Sequence, residues 1–143
     1  MEIALPGLIS CIVATAAIIV AVHSWQTTRH TASYADLDTL YLELLKVGLT
    51  YPRFTDPTLT KDYKNRFKGD ELLSYKIYAF MSWNVCETIY DRCEKDKHLW
   101  CTWEPVIVAE NNLHRRWFDD PENFHKFKKQ FRQYIHANRT KEY

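Results

Sequence analysis

The run "WNVCETIYDRCEKDKHLWCTW", Trp83–Trp103, decides the fold, because it holds three cysteines, one histidine and three tryptophans. This composition is typical either of a metal or redox site or of the core of a small helical domain. A structural zinc site usually has two close cysteine pairs, whereas Cys86 and Cys93 are seven residues apart. That spacing puts them on one helix face, where free cysteines pack as small apolar residues. We therefore interpret the run as core, with Cys93, His98 and Cys101 as an alternative metal set.

The residues on both sides of this run have the three-and-four spacing of helices. They predict one helix over residues 72–93, with Asp70 as its N-cap, and a second over 102–118, with Thr102 as its N-cap. The segment "EKDKH", residues 94–98, forms the turn. The polar residues of the first helix share one stripe that we expect to meet solvent: Asn84, Glu87, Thr88 and Asp91.

Further helices are predicted before and after this pair. Apolar residues repeat on one face over 34–47, and Gly48 and Pro52 end that helix. Asp120 and Pro121 predict the start of a last helix. Its apolar face contains Phe124, Phe127, Phe131, Tyr134 and Ile135. Residues 34–143 are therefore predicted to form a small antiparallel helical bundle in an all-α fold.

Residues 3–22 carry no charge over 20 residues, and a helix needs about 20 apolar residues to cross a bilayer core. The run is too long for a signal peptide, and no base precedes it. Trp25 and Arg29 suit a membrane interface. We predict a transmembrane anchor at 1–25, with the N-terminus outside, and a juxtamembrane segment at 26–33. A buried core helix is the alternative.

The cysteines outside this predicted span are three in number and have no familiar disulfide spacing. Such cysteines suit a reducing compartment. We therefore expect a single-pass protein of the cell inner membrane whose bundle faces the cytoplasm. Because neither glycine nor proline interrupts residues 8–47, the anchor and the first soluble helix can form one rod of about 40 residues.

The stretch "VIVAENNLHRRW", residues 106–117, places Glu110 and His114 one turn apart on the apolar face of its helix. A carboxylate and an imidazole on such a face need compensation or a shifted pKa. The pair is a candidate for binding a metal, moving a proton or sensing pH. The alternative is a structural hydrogen-bonded pair that also meets a Tyr or Trp across the core.

The last predicted helix is basic, since residues 121–143 contain six bases and two acids. Bases beside an aromatic helix face can contact anionic lipid headgroups. The candidate contacts are Lys126, Lys128, Lys129 and Arg132. In the alternative interpretation, the aromatic face is bundle core and the bases are a solvated exterior. This charge is too modest to predict a nucleic-acid partner.

Enzyme signatures are missing from the sequence. With three glycines there is no Gly-rich phosphate loop, and neither a Gly-x-Ser-x-Gly nor a His-Glu-x-x-His motif occurs. We therefore predict no catalytic residue, no bound metal and no cofactor.

Three stretches carry a resemblance to known proteins: "YADLDTLYLELLKVGLTYPRF", "YKIYAFMSWNVCETIYD" and "WEPVIVAENNLHRRWF". The layout resembles that of uncharacterised small bacterial membrane proteins with one N-terminal span and a short helical cytoplasmic domain. The resemblance covers most of the chain and implies no particular activity. Our hypothesis is a membrane-anchored, non-enzymatic interaction module, an accessory subunit or regulatory adaptor with a protein partner. The alternative is a ligand- or metal-binding domain centred on Glu110 and His114.

Overall fold

The computed structural model describes residues 4–138, and for 4–13, 26 and 29–33 it describes the backbone alone. Every regular element in this range is helical, so the all-helical part of the predicted fold class agrees with the structure. The α-helices are α1 (Ala4–Thr50), α2 (Pro57–Thr60), α3 (Tyr63–Arg66), α4 (Gly69–Cys93), α5 (Lys97–Phe118) and α6 (Lys129–Ala137). Two 3-10 helices occupy Pro52–Thr55 and Pro121–Lys126.

The predicted membrane span is not supported by the structure. Among the residues that the structure describes, no helix combines the length and the apolar character needed to cross a membrane. Residues 1–3 of the predicted anchor lie outside the described residues. This finding contradicts the predicted transmembrane helix and the single-pass description, and it leaves the inner-membrane location without support.

The chain divides into two compact units, Met1–Asp36 and Leu37–Tyr143. The described part of the first unit is the beginning of α1. There the hydroxyls of Thr27 and Thr28 donate to carbonyls four residues earlier, which satisfies them within the helix. The second unit contains the remaining helices and the hydrophobic core.

α4 and α5 form an antiparallel hairpin, the most extensive contact between two helices in the described fold. Asp96 caps α5 by accepting hydrogen bonds from the backbone N–H groups of His98 and Leu99. Thr102, the predicted cap, instead donates its hydroxyl to the carbonyl of His98 inside the helix. The predicted start of α5 is wrong because Asp96 is the earlier and stronger cap.

α4 begins at Gly69, with Lys68 as its N-cap, rather than after the predicted cap Asp70. Gly69 has a φ of +52°, a conformation that glycine adopts without the steric cost of a side chain. Asp70 and Glu71 therefore lie in the first turn of the helix. Carboxylates there interact favourably with the positive end of the helix dipole.

The cysteine- and tryptophan-rich run is core along much of its length. Trp83, Cys86 and Cys93 are completely buried. The ring of Trp83 lies against that of Phe118 with 4.1 Å between centroids. Trp103 is also buried. Large aromatic rings therefore supply much of the apolar area that a core this small needs.

The last predicted helix is in fact two elements. The 3-10 helix Pro121–Lys126 is capped by Asp120, which accepts from the N–H of Glu122. The backbone is then extended at Phe127 before α6 begins. Phe127, Phe131 and Ile135 reach the core, but Phe124 is 55% exposed. A single apolar face therefore does not run through the whole segment.

Candidate functional site

Glu110 and His114 both lie on the buried face of α5. Glu110 is 4% exposed and His114 is completely buried. Oε2 of Glu110 lies 3.6 Å from Nε2 of His114, which is longer than a hydrogen bond. The two side chains therefore face each other without bonding directly.

Each of the two side chains has a partner on α4. The hydroxyl of Ser82 donates to Oε2 of Glu110 at 2.6 Å. The hydroxyl of Tyr75 lies 3.1 Å from Nδ1 of His114, and the indole N–H of Trp83 donates to the His114 carbonyl at 3.2 Å. With Tyr75 donating to Nδ1, the proton of a neutral imidazole lies on Nε2, toward Glu110. This polar cluster, Tyr75, Ser82, Glu110 and His114, joins α4 to α5.

Burial determines the ionisation of the pair. It raises the pKa of Glu110, and the hydrogen bond from Ser82 partly offsets this rise. It lowers the pKa of His114 to about 3, because a charged imidazole loses its hydration inside the core. His114 is therefore neutral at physiological pH.

The polar cluster is closed to solvent. Ser82 donates to the carboxylate of Glu110, a group that can act as a general base, but a nucleophile also needs access to its substrate. All four side chains are buried, so a substrate has no direct approach to them. The contacts across α4 and α5 suit a structural role.

The cysteines do not form a metal set within the described residues. Cys93 is buried, while His98 and Cys101 are exposed. No group of three or more His, Cys, Asp or Glu side chains in this part of the chain is placed to hold a metal ion. Burial raises the pKa of Cys93 to about 11 and that of Cys86 well above its ordinary value, which keeps both thiols protonated and unreactive.

The four basic residues predicted to contact lipid lie in different surroundings. Lys126 donates to Oδ1 of Asn123 at 2.6 Å. Lys128 pairs with Asp91. The guanidinium of Arg132 lies 3.8 Å from the ring centre of Phe124, and Lys129 is exposed at the start of α6. Several of these charges are therefore engaged within the protein itself.

The polar stripe of α4 has a structural partner that the sequence analysis missed. Oε1 of Glu87 accepts from the backbone N–H of Lys128 at 2.7 Å, which satisfies a free donor at the start of α6. Asp91 pairs with the side chain of the same lysine. In the sequence these two carboxylates are four residues apart on one helix stripe, but only the fold shows that both contact Lys128.

The structure gives no support to the two residues predicted to lie at a membrane interface. Trp25 is 58% exposed, and the side chain of Arg29 lies outside the described residues. Because the predicted span is contradicted, their assignment to an interface loses its basis.

A surface that the sequence analysis did not identify lies on the first half of α4. Leu73, Ile77, Phe80 and Met81 share one face of the helix by their spacing, and we call them the α4 face. They are 59%, 53%, 39% and 38% exposed, respectively. Further along the helix, that face continues with Asn84, Thr88 and Asp91. The exposed face of α4 is thus apolar in its first half and polar in its second.

The α4 face borders a groove against the 3-10 helix Pro121–Lys126. The groove has a volume of about 290 Å³, and Leu73, Ile77, Phe80 and Trp117 supply its apolar lining. Its charged rim consists of Lys76, Lys126 and Glu122. A concave apolar surface with a charged rim is typical of a binding site.

No family model, curated protein or solved structure matches this chain.

Proposed function

We propose that this protein is a non-enzymatic helical interaction module whose protein partner docks on the α4 face. The supporting observation is the exposure of four large apolar side chains, between 38% and 59%, on one face of α4. Contiguous apolar patches on a protein surface mark interaction sites, because a partner that covers them removes their apolar surface from water, which favours binding.

The composition of α4 favours docking over simple tolerance of apolar residues. The second half of the same face carries polar side chains. The fold therefore accepts polar residues on this face, and it does not need large apolar ones there. The first half has them at Leu73 and Ile77, the two most exposed positions. The groove beside the α4 face is concave, so it can surround a side chain that a partner inserts.

The alternative of a ligand or metal site at Glu110 and His114 has less support. Both side chains are directed at partners on α4, at Ser82 and Tyr75, and both are buried. A buried and hydrogen-bonded polar cluster of this kind orients packed helices. The cluster therefore holds α5 against α4, the helix that presents the docking surface.

The test compares two full-length variants that remove one exposed apolar side chain each. Ile77→Ser acts on the α4 face, and the matched control Leu49→Ser acts on α1, where Leu49 is 82% exposed. After crosslinking in the native cells, the tagged proteins are purified and their partners quantified by mass spectrometry. We expect a stoichiometric partner with wild type and Leu49→Ser and about a tenfold loss with Ile77→Ser, since burying such a side chain contributes about 1.5–3 kcal/mol.

Stability is measured on the same samples. Both substitutions are at exposed positions, so each should change the free energy of unfolding by less than about 0.5 kcal/mol. Equal partner recovery from Ile77→Ser and Leu49→Ser would refute docking on the α4 face. Absence of any stoichiometric partner from the wild type would refute the interaction module itself.

A further inference from the structure

We propose, on the basis of the proposed function, that the partner docks as an amphipathic helix with acidic residues beside its apolar stripe. Its apolar residues enter the groove between α4 and the 3-10 helix Pro121–Lys126. Its carboxylates meet Lys76 and Lys126 on the rim of that groove.

The shape of the groove favours a helix. The exposed residues of the α4 face have the i, i+4, i+7 spacing of one helix stripe, and a second helix packs on such a stripe by interdigitating its own side chains. The groove volume of about 290 Å³ accommodates a few apolar anchors. In helix-in-groove recognition the partner helix inserts anchors spaced i, i+3, i+4 and i+7 along its own apolar face.

The charge of the rim favours an acidic partner. The ammonium of Lys126 lies 5.2 Å from the ring centre of Trp117 and 5.6 Å from that of Phe80, so it is held directly over the apolar lining. Its hydrogen-bond partner is the neutral amide of Asn123. Neither Lys76 nor Lys126 pairs with a carboxylate of the described residues, so two positive charges against Glu122 leave the rim positive.

The same charge argues against a second copy of this chain as the occupant. An isologous pairing of α4 with α4 of another copy repeats the same surface on both sides. Each copy then presents a rim of two lysines and one glutamate to an identical rim, so both facing surfaces are positive. Like charges brought together in this way oppose association, whereas a helix with glutamates at its border complements both lysines.

The experiment uses two synthetic helical peptides as probes and the full-length protein. Both peptides carry leucines at i, i+3, i+4 and i+7, and they differ only in having glutamates or lysines beside that stripe. Binding is measured by fluorescence anisotropy at low and high salt. We expect the acidic peptide to bind about tenfold more tightly than the basic one at low salt, with a smaller difference at high salt.

Charge reversal identifies the lysines responsible. The double variant Lys76→Glu/Lys126→Glu should invert the preference. The matched control Lys61→Glu/Lys129→Glu changes the net charge equally at exposed positions that do not line this groove, and it should keep the preference for the acidic peptide. Thermal unfolding of each variant verifies that it is folded.

The outcomes separate this inference from the proposed function. Equal binding of both peptides, or an equal response of the two double variants, overturns the acidic partner. If Ile77→Ser still loses its cellular partner in that case, the docking surface stands. Absence of binding by either peptide overturns the helix-in-groove inference, and partner recovery with Ile77→Ser then decides the proposed function separately.

Discussion

Replacing His114 with glutamine should remove a specific part of the pH dependence of stability. Glutamine keeps an acceptor for the hydroxyl of Tyr75, which lies 3.1 Å from Nδ1 of His114, but it does not titrate. In the wild type, burial lowers the pKa of His114 from 6.5 to about 3. The unfolded chain therefore binds a proton at this residue in a pH range where the folded chain does not.

The sign and size of the effect follow from that difference. A lowered folded-state pKa gives stability that is present above the unfolded pKa and is lost as pH falls toward the folded one. Between pH 7 and pH 5 the loss at His114 is about 2 kcal/mol. Glu110 has the opposite sign, since its raised pKa gives stability that is present at low pH and is lost as pH rises through the folded value. The variant is therefore compared with wild type rather than interpreted alone.

The assay is urea unfolding followed by tryptophan fluorescence at pH 7, 6 and 5. His114→Gln should lose about 2 kcal/mol less stability than wild type on acidification over this range, whatever its stability at pH 7. The control His98→Gln replaces an exposed histidine and measures the effect of removing an imidazole from the surface. The same pH dependence in His114→Gln and wild type would show that His114 is not a buried neutral side chain.

Three further pairs of substitutions test local features of the fold, each by urea unfolding at pH 7. Gly69→Ala should lower the free energy of unfolding by about 1 kcal/mol because a side chain is strained at a φ of +52°. Gly69→Asn should lower it by less, and equal losses would contradict the left-handed conformation. Asp96→Ala should lower the free energy of unfolding by about 1 kcal/mol because it removes the N-cap of α5. Asp96→Asn should retain most of that free energy, and an equal loss from both variants would contradict the cap. Glu87→Ala should lower the free energy of unfolding by about 1 kcal/mol because it removes the acceptor for the N–H of Lys128. Asp91→Ala should lower it by less, because the ion pair of Asp91 is exposed. The reverse order would refute this assignment.

The sequence is sufficient for the long helices α4 and α5 and for the interior position of Glu110 and His114, because both depend on periodicity. Three-and-four spacing puts Glu110 and His114 on the apolar face of their helix, and both are buried there. It does not specify helix starts, which depend on competition between nearby caps. Asp96 and Thr102 are both good N-cap residues, and the structure uses Asp96.

Long-range packing accounts for what the sequence analysis missed. The partners Ser82 and Tyr75 are 28 and 39 residues from Glu110 and His114, respectively, and no local pattern connects them. The α4 face was missed for a related reason. The spacing of apolar residues in α4 does not indicate which of them contact another element, and only the packing shows that Leu73 and Ile77 remain exposed. The predicted membrane span was inferred from an uncharged run and the residues beside it, and no described helix supports it.

The most direct test of docking on the α4 face places a photo-crosslinking residue at Ile77 in one full-length protein and at Leu49 in another. Both positions are exposed, at 53% and 82%, so accessibility alone favours Leu49. If the α4 face is the docking surface, irradiation in the native cells gives one discrete crosslinked product from position 77 and none from position 49. Products of equal yield from both positions, or a discrete product from position 49 alone, would contradict this account.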